Sequence, residues 1–333
     1  MVIRRCWKMK KVLDFIGHQK IFFGISIAIF VIGIICNFVF GAKLDIQFTG
    51  GAIVKYSYSG TVDEAKLKNL LQSETAETVS FAISKNLIAG DQNANTSEGY
   101  IVSVQFPGNE SISVDEQAKL TQSLQKEFPD NNFKYSESNS VESTMGWKFF
   151  LKCLTAVAIA SILMVLYVTF RFKKISGLSA GVMALLALLH DVLMIYFTFV
   201  ILRMPIDSNF IAVVLMILGY SLNDTIVIYD RVRENRSLMG PKAAPAELFN
   251  KSASQCLKRT ICTSVTTFMA IACVYVIAII FNLTSVQTFA LPMMVGVISG
   301  CYSSICIAGP LWVIWQNHKA KKKAQLRPGT KKA

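Results

Sequence analysis

The chain has 333 residues, of which 53% are hydrophobic and 17% charged, with 34 Lys and Arg against 21 Asp and Glu for a net charge of +13. A soluble domain typically carries about 25% charged residues. The apolar residues form long runs, and 14 of the 21 acidic residues fall between positions 41 and 147. This pattern excludes a uniformly soluble globule, a disordered chain and a disulfide scaffold, and it predicts a polytopic α-helical membrane protein.

Six apolar runs are long enough to cross a bilayer as helices, which takes about 20 residues. The predicted spans are residues 21–40, 149–170, 175–202, 206–229, 263–281 and 289–315. The first is too long for a signal-peptide core and no small-residue cleavage site follows it. It is therefore interpreted as an uncleaved span.

Lys and Arg concentrate on one side of these spans. They cluster in the tail of residues 1–20, in the 171–174 turn, in the predicted loop 230–260 and in the tail of residues 316–333. Basic residues mark the cytoplasmic side, so both tails are predicted to be cytoplasmic and residues 41–147 to be exported. The exported segment carries −6 and the remainder +19. This split indicates contact with anionic lipid and not with nucleic acid.

The exported segment has the pattern strand, helix, strand, strand, helix, strand. The β-rich runs lie around 53–58, at 78–83, at 100–106 and at 132–135. Capping boxes from Thr61 to Glu64 and from Ser113 to Glu116 open the two helices. This order predicts a ferredoxin-like α+β domain. The segment has no His or Cys, so we expect recognition or lever-like movement and not catalysis.

Asp191 lies near the middle of the third span, beside His190. A charge at this depth costs about 2.5–3.5 kcal/mol on insertion scales, so it indicates function. Ala180, Ala184 and Ala187 share its helix face, which directs the carboxylate into the bundle. Asp191 is either a proton carrier or a fixed hydrogen-bonded link between helices. His190 lies about 100° around the helix and is a supporting polar residue or a packing residue.

A second polar patch lies inside the cytoplasmic end of the fourth span. Its polar residues are Ser221, Asn223, Asp224 and Thr225, which form either a hydrated vestibule or an interfacial group with an ion pair to Arg231 or Arg233. Asp207, at the outer end, is interpreted as solvated.

The last span carries a small-residue seam that suits close helix contact. Its members recur every four residues: Gly296, Gly300, Ser304 and Ala308. A partner span or another helix of this chain could pack there. No nucleotide-binding motif, nucleophile elbow or zinc-ligand spacing is present, so no catalytic residue, cofactor or metal is predicted. Any work must draw on an ion gradient or a partner.

Several motifs together resemble the SecD/SecF family of protein-export membrane proteins, in the RND superfamily. They are Phe48-Thr-Gly-Gly51, His190-Asp191, Gly219 to Thr225 leading into Asp230 to Asn235, and Thr263 to Thr267. Family members usually have an acidic residue directly before the Phe-Thr-Gly-Gly, where this chain has Gln47. Gly50 and Gly51 are interpreted as a tight backbone turn.

The resemblance implies a non-enzymatic accessory subunit of the Sec translocase in the bacterial cytoplasmic membrane. Its expected partners are SecD, a homologous six-span subunit, the SecYEG channel, YajC and YidC, and a translocating preprotein. The proton-motive force would drive it, with Asp191 as proton relay and Asn223, Asp224 and Arg231 in support. The alternatives are an RND-type small-molecule transporter subunit and a structural scaffold of the translocon.

Overall fold

A computed structural model describes residues 12–74, 80–85, 99–107, 114–141, 143–240, 243–281 and 283–325. These residues contain six helices long and apolar enough to cross a membrane, and one small four-stranded α+β domain. The predicted fold class is therefore confirmed.

Helix α1 (Gln19–Phe40) leads through the one-turn helix α2 (Ile46–Thr49) into the α+β domain. The domain consists of β1 (Gly51–Ser59), α3 (Glu64–Glu74), β2 (Ser80–Lys85), β3 (Gly99–Pro107), α4 (Val114–Glu127) and β4 (Lys134–Val141). Its strands form one antiparallel sheet in the order β2-β3-β1-β4. This is the ferredoxin-like arrangement that the element order predicts.

Alternating residues of β1 and β3 bury one face of the sheet against α3 and α4. The core of the domain consists of Val54, Tyr56, Tyr58, Leu67, Leu71, Val102, Val104, Leu120, Leu124, Phe128 and Phe133. Every second residue of the strands points to the same face, and leucines four residues apart lie on the same side of each helix. These two periodicities explain why the core residues pack together.

Two local predictions in the domain were wrong. The last strand covers Lys134–Val141 and shares only two residues with the predicted 132–135, because nearly all of its residues are polar, as suits its position at the edge of the sheet. Helix α3 is capped by Asp63, whose carboxylate accepts the Ala65 N–H at 2.9 Å, and not by Thr61. The capping box at residues 113–116 lies partly outside the described residues.

The remaining helices are α5 (Ser143–Arg171), α6 (Gly177–Ile201), α7 (Ser208–Met239), α8 (Pro245–Ile280), α9 (Thr284–Ser303) and α10 (Gly309–Gln325). A π-helical segment, Ser304–Ala308, joins α9 to α10, so that these helices form the sixth span. Helices α7 and α8 extend far beyond their apolar runs. The segment predicted as a loop at 230–260 is therefore largely helical.

Helices α6, α7 and α9 form the centre of the bundle. Half of the most apolar stretch of α6 and of α7 is buried, against 11% in α1 and in α8. The apolar side chains that α1, α5 and α8 leave exposed suit contact with lipid or with another subunit.

The segment after α1 pairs with the α6–α7 connection. The Ile206 N–H donates to the Lys43 carbonyl at 2.8 Å, and the Asp45 N–H donates to the Ile206 carbonyl at 3.0 Å. We call this the domain end of the bundle. Just beyond, Gly50 and Gly51 have φ values of +86° and +136°, which side chains rarely adopt and which support the turn interpretation.

Candidate functional site

Asp191 is completely buried near the middle of α6. Ala180, Ala184 and Ala187 on the same face are buried with it. These small side chains let α7 and α9 approach α6 closely, as the spacing predicts. The carboxylate therefore faces the inside of the bundle.

Three serine hydroxyls surround the Asp191 carboxylate, and we call Ser221, Ser299 and Ser303 the serine cage. Ser221 on α7 donates to Oδ2 at 2.6 Å, and Ser303 on α9 donates to the same oxygen at 2.7 Å. Ser299 on α9 donates to Oδ1 at 2.6 Å. Distances this short are typical of hydroxyl donors to an ionised carboxylate. One carboxylate thus connects three helices.

The chemistry of the serine cage suits a group that gains and loses a proton. A serine hydroxyl donates to an ionised carboxylate, and the same hydroxyl can accept from a protonated one after rotating about its C–O bond. The cage therefore provides partners for both forms of Asp191 without a change in the backbone. The same three hydroxyl donors would also stabilise an Asp191 that stays ionised and only links the helices.

His190 is buried beside Asp191, with Nδ1 3.2 Å from Oδ1 of the carboxylate. Its ring packs against Phe30 of α1 and Tyr302 of α9, with centroid separations of 5.0 and 6.0 Å. The sequence left open whether His190 is a polar neighbour of Asp191 or a packing residue. In the structure it is both.

The small-residue seam packs against α7 of this chain, which answers the question that the sequence left open. A Cβ added to Gly300 would lie 3.0 Å from Cβ of Ser221, and one added to Gly296 would lie 2.6 Å from the Ile217 side chain. The Ala308 carbonyl, in the π-helical segment, accepts the Tyr229 hydroxyl at 3.4 Å.

A second hydroxyl pair lies one turn along from the serine cage. Ser304 and Thr225 hydroxyls are 2.9 Å apart, and both donate to the Ser221 carbonyl, at 3.1 and 3.2 Å. Single π-helical segments often occur at functional sites, and this one holds Ser304 next to the cage.

Asp224 is also buried, one turn after Ser221 on α7, but it makes no hydrogen bond to the serine cage among the described contacts. Its Oδ2 has no hydrogen-bond partner among the described residues. The Arg259 guanidinium on α8 and the Cys301 thiol on α9 lie close enough to interact with it electrostatically. Asn223, its neighbour, is exposed on the outer face of α7 and does not join Asp191.

The ion pair between Asp224 and Arg231 or Arg233, one of the two alternatives that the sequence left open, is absent in the described part of the chain. Arg231 instead pairs with Glu234, and Arg233 pairs with Asp230 at 2.8 Å. These groups line an open cavity of about 490 Å³ at the end of the bundle opposite the domain. Its lining includes Arg231, Arg233, Glu234, Gln255 and Arg259. Arg231 therefore belongs to this cavity and not to the Asp191 site.

Asp207 is not simply solvated, as the sequence suggested. It caps the start of α7, where Oδ1 accepts the Phe210 N–H at 3.2 Å and Oδ2 accepts the Asn209 amide at 2.9 Å. Burial raises the pKa of this carboxyl above its usual range, and nearby Asp45 acts in the same direction.

Sequence reasoning missed Ser299 and Ser303, and it placed Ser221 in the polar patch around Asp224 and not beside Asp191. Ser299 and Ser303 lie four residues apart beside the small-residue seam, and this spacing was the available signal. Within the described ranges, no group of three or more His, Cys, Asp or Glu is arranged to hold a metal ion.

Comparison with known proteins gives consistent matches. A family model described as protein export membrane protein SecD/SecF, C-terminal, matches residues 120–318. The protein translocase subunit SecF of Alicyclobacillus acidocaldarius is 32% identical over 322 residues, which cover 94% of this chain and 96% of the relative. The protein translocase subunit SecF of Petrotoga mobilis is 34% identical over 303 residues, which cover 90% and 94%.

Some relatives are longer than this chain and match it over only part of their length. The protein translocase subunit SecDF of Bacillus subtilis is 32% identical over 309 residues, which cover 93% of this chain but 39% of the relative. A crystal structure of SecDF from Thermus thermophilus, described as a translocon-associated membrane protein, is 27% identical with a TM-score of 0.73. That match covers 93% of this chain and 40% of the solved chain.

Proposed function

Because the chain belongs to the SecD/SecF family of protein export membrane proteins, we propose that it is the SecF-type subunit of a protein translocase and couples the proton-motive force to preprotein export. The observation that carries the proton coupling is the serine cage around Asp191, deep in a bundle of apolar helices. One charge crossing 100 mV is worth about 2.3 kcal/mol, so one proton per cycle is a usable energy source.

Asp191 is the proposed proton relay. A carboxylate in the hydrocarbon region is costly as an isolated charge, and the serine hydroxyls can serve both its ionised and its neutral form. Asp224 is the proposed supporting carboxylate. It has an unpaired oxygen and lies between Asp191 and the cavity at the end of the bundle opposite the domain.

The proposed setting follows the distribution of charge. Most of the described basic residues outside the α+β domain, among them Arg171, Arg231 and Lys319, lie at the end of the bundle opposite the domain. This end is therefore proposed to face the cytoplasm of a bacterial cytoplasmic membrane, and both tails are proposed to lie on the same side. The α+β domain is then exported. Contacts of the basic flanks with anionic lipid belong to the same proposal.

The proposed principal partner is a SecD-type subunit. Relatives named SecDF contain this chain's counterpart in about two fifths of their length, which supports a partner equivalent to the remainder. The SecYEG channel, YajC, YidC and the moving preprotein are further proposed partners. The proposed role is mechanical and not enzymatic, because the polar residues of the bundle suit proton binding and helix contact.

An export assay on the chain with its SecD-type partner tests the proposal. In membrane vesicles, Asp191→Asn should co-purify with the partner at the wild-type level, while stimulation of export by a proton gradient should fall to the level without a gradient. Asp207→Asn is the matched control, because Asn also caps helices well, and it should keep the stimulation. An Asp191→Asn chain that keeps its stimulation contradicts the relay and leaves the scaffold interpretation.

A further inference from the structure

The His190 ring lies between the Asp191 carboxylate and helix α1. Nδ1 faces Asp191 at 3.2 Å, and the ring packs on Phe30 at a centroid distance of 5.0 Å. Nε2 is buried and has no hydrogen-bond partner among the residues that the structure describes. The ring is thus oriented by one carboxylate on one side and by aromatic packing on the other.

The protonation of this pair is constrained by simple chemistry. An ionised carboxylate only accepts hydrogen bonds, so Nδ1 must carry a proton when Asp191 is ionised. If Asp191 then takes a proton on Oδ1, an O–H and an N–H face each other. The contact is lost unless the ring turns or the ring proton moves to Nε2, where the described structure offers no acceptor.

Few other titratable groups face the ring. Tyr302 approaches it from α9, with Cys306 behind Tyr302, and α1 presents Phe30 and Ser26, which do not titrate. A change at Asp191 is therefore the main electrostatic event that the ring can sense in the described structure.

Helix α1 is held to the bundle by a short row of contacts. Besides Phe30, its Asn37 amide oxygen accepts the Tyr196 hydroxyl at 2.7 Å, and its Phe22 carbonyl accepts the Tyr302 hydroxyl at 2.6 Å. Most of its apolar surface is exposed. Ten residues connect its end at Phe40 to the first strand of the α+β domain. A shift of α1 would therefore move the base of that domain.

We propose that His190 is the positioning residue through which a proton on Asp191 changes the packing of α1 against the bundle. The change in α1 also changes the position of the α+β domain. This inference rests on the proposed function. With Asp191 ionised, the Nδ1–H bond fixes the ring against Phe30. With Asp191 protonated on Oδ1, the ring leaves that position and α1 loses one of the two ring contacts of Phe30, the other being with Phe197 at a centroid distance of 5.8 Å.

Distances between spin labels test this coupling in the chain with its SecD-type partner in lipid vesicles. The labels are placed at Val39 on α1 and Ile201 on α6, both exposed, in a background without the eight native cysteines. The wild-type distance should shift between mildly acidic and mildly alkaline buffer. His190→Asn keeps an N–H near the position of Nδ1 but removes the ring, so it should lose most of the shift. His318→Asn, an exposed histidine elsewhere, should retain it.

The outcomes separate the two proposals. Co-purification with the partner at the wild-type level establishes that each variant is folded, and Phe30→Leu, which removes the receiving side chain, should lose the shift as His190→Asn does. If Asp191→Asn abolishes the shift but His190→Asn and Phe30→Leu keep it, the role of His190 is refuted and the proton relay stands. If Asp191→Asn also keeps the shift, Asp191 is not the proton-sensing group and both proposals fail.

Discussion

Asp191 and Asp224 are two buried carboxylates with opposite surroundings. Asp191 accepts hydroxyl hydrogen bonds on both oxygens, from the serine cage. Asp224 has one buried oxygen without a described partner. A buried polar group left unpaired costs about 1–3 kcal/mol, whereas hydrogen bonds to a charged group contribute about 1.5–3 kcal/mol each.

Alanine at these two positions should therefore affect the free energy of unfolding differently. Asp191→Ala leaves three hydroxyls without their acceptor and creates a cavity, so we expect the free energy of unfolding to fall by about 2–4 kcal/mol. Asp224→Ala removes an unpaired oxygen and should be neutral or stabilising by about 1 kcal/mol. Thermal unfolding of the detergent-purified chain measures both, and a loss at Asp224 equal to that at Asp191 would contradict the described contacts.

Single residues differ in how well the sequence predicts their role. Asp191 stands out because a charge within an apolar run is costly and therefore informative. Ser299 and Ser303 do not, because serine is common in membrane helices and its partner lies more than a hundred residues away in sequence. The failed pairing of Asp224 with Arg231 has a similar cause, since Glu234 lies one turn from Arg231 on the same helix.

At the scale of elements, the start of α1 is tied to α8 by a strap, which we define as residues 12–18. The Phe15 and Ile16 N–H groups donate to Oδ1 of Asn250 at 3.1 and 3.2 Å, and the Asn250 amide donates to Asp14 at 2.7 Å. The Gly17 N–H and this amide lower the pKa of Asp14. Asn250 thus makes three hydrogen bonds to the strap, and Ser254 of α8 accepts a fourth from the Leu13 N–H at 3.0 Å.

Replacing Asn250 should loosen the strap at Phe15 and Ile16. In Asn250→Ala the amides of Phe15 and Ile16 lose their acceptor, so their hydrogen exchange should accelerate roughly five- to tenfold. Exchange measured by mass spectrometry on the strap peptide gives the rate. Asn223→Ala, at an exposed site on α7, is the control, and equal rates in both variants would show that Asn250 does not hold the strap.

The sheet of the α+β domain should be sensitive to alkali through Tyr58. Burial, together with neighbouring Tyr100, raises the pKa of Tyr58 to about 12. A raised pKa means that the unfolded chain ionises first, so the stability contribution is complete below about pH 10 and is lost as pH rises towards 12.

Tyr58→Phe should remove most of this alkaline loss, which amounts to roughly 2–3 kcal/mol for two pKa units. Phe keeps the stacking on Phe133, whose centroid is 4.8 Å away. Hydrogen exchange of β1 in the full chain, followed through this pH range, makes the measurement. An identical alkaline loss in the variant would place its origin elsewhere.

Elements were predictable where periodicity is strong. The six apolar runs and the β-rich runs of the domain predicted the architecture. Strand β4 was misplaced because its polar residues lack a clear apolar face. The last turns of α7 and the first turns of α8 were missed because their charged residues are typical of loops, although buried residues such as Val232 and Phe249 keep these segments helical.

At the scale of the whole molecule, the topology makes a direct prediction. Ser138→Cys on β4 and Ser237→Cys near the end of α7 make the same substitution at exposed sites on opposite ends of the bundle. In intact cells and a background without native cysteines, a membrane-impermeant maleimide should label only Ser138→Cys. Labelling of Ser237→Cys alone would invert the proposed orientation.

The central claim is that Asp191 changes its protonation state inside the serine cage. Infrared difference spectra of the chain with its SecD-type partner in lipid, taken between acidic and neutral pH, test it directly. A carboxylic C=O band should appear at acidic pH, vanish in Asp191→Asn and shift in Ser299→Ala, where one hydrogen bond to the carboxyl is lost. A band that is unchanged in Asp191→Asn would contradict the claim, because the titrating carboxyl would then be another residue.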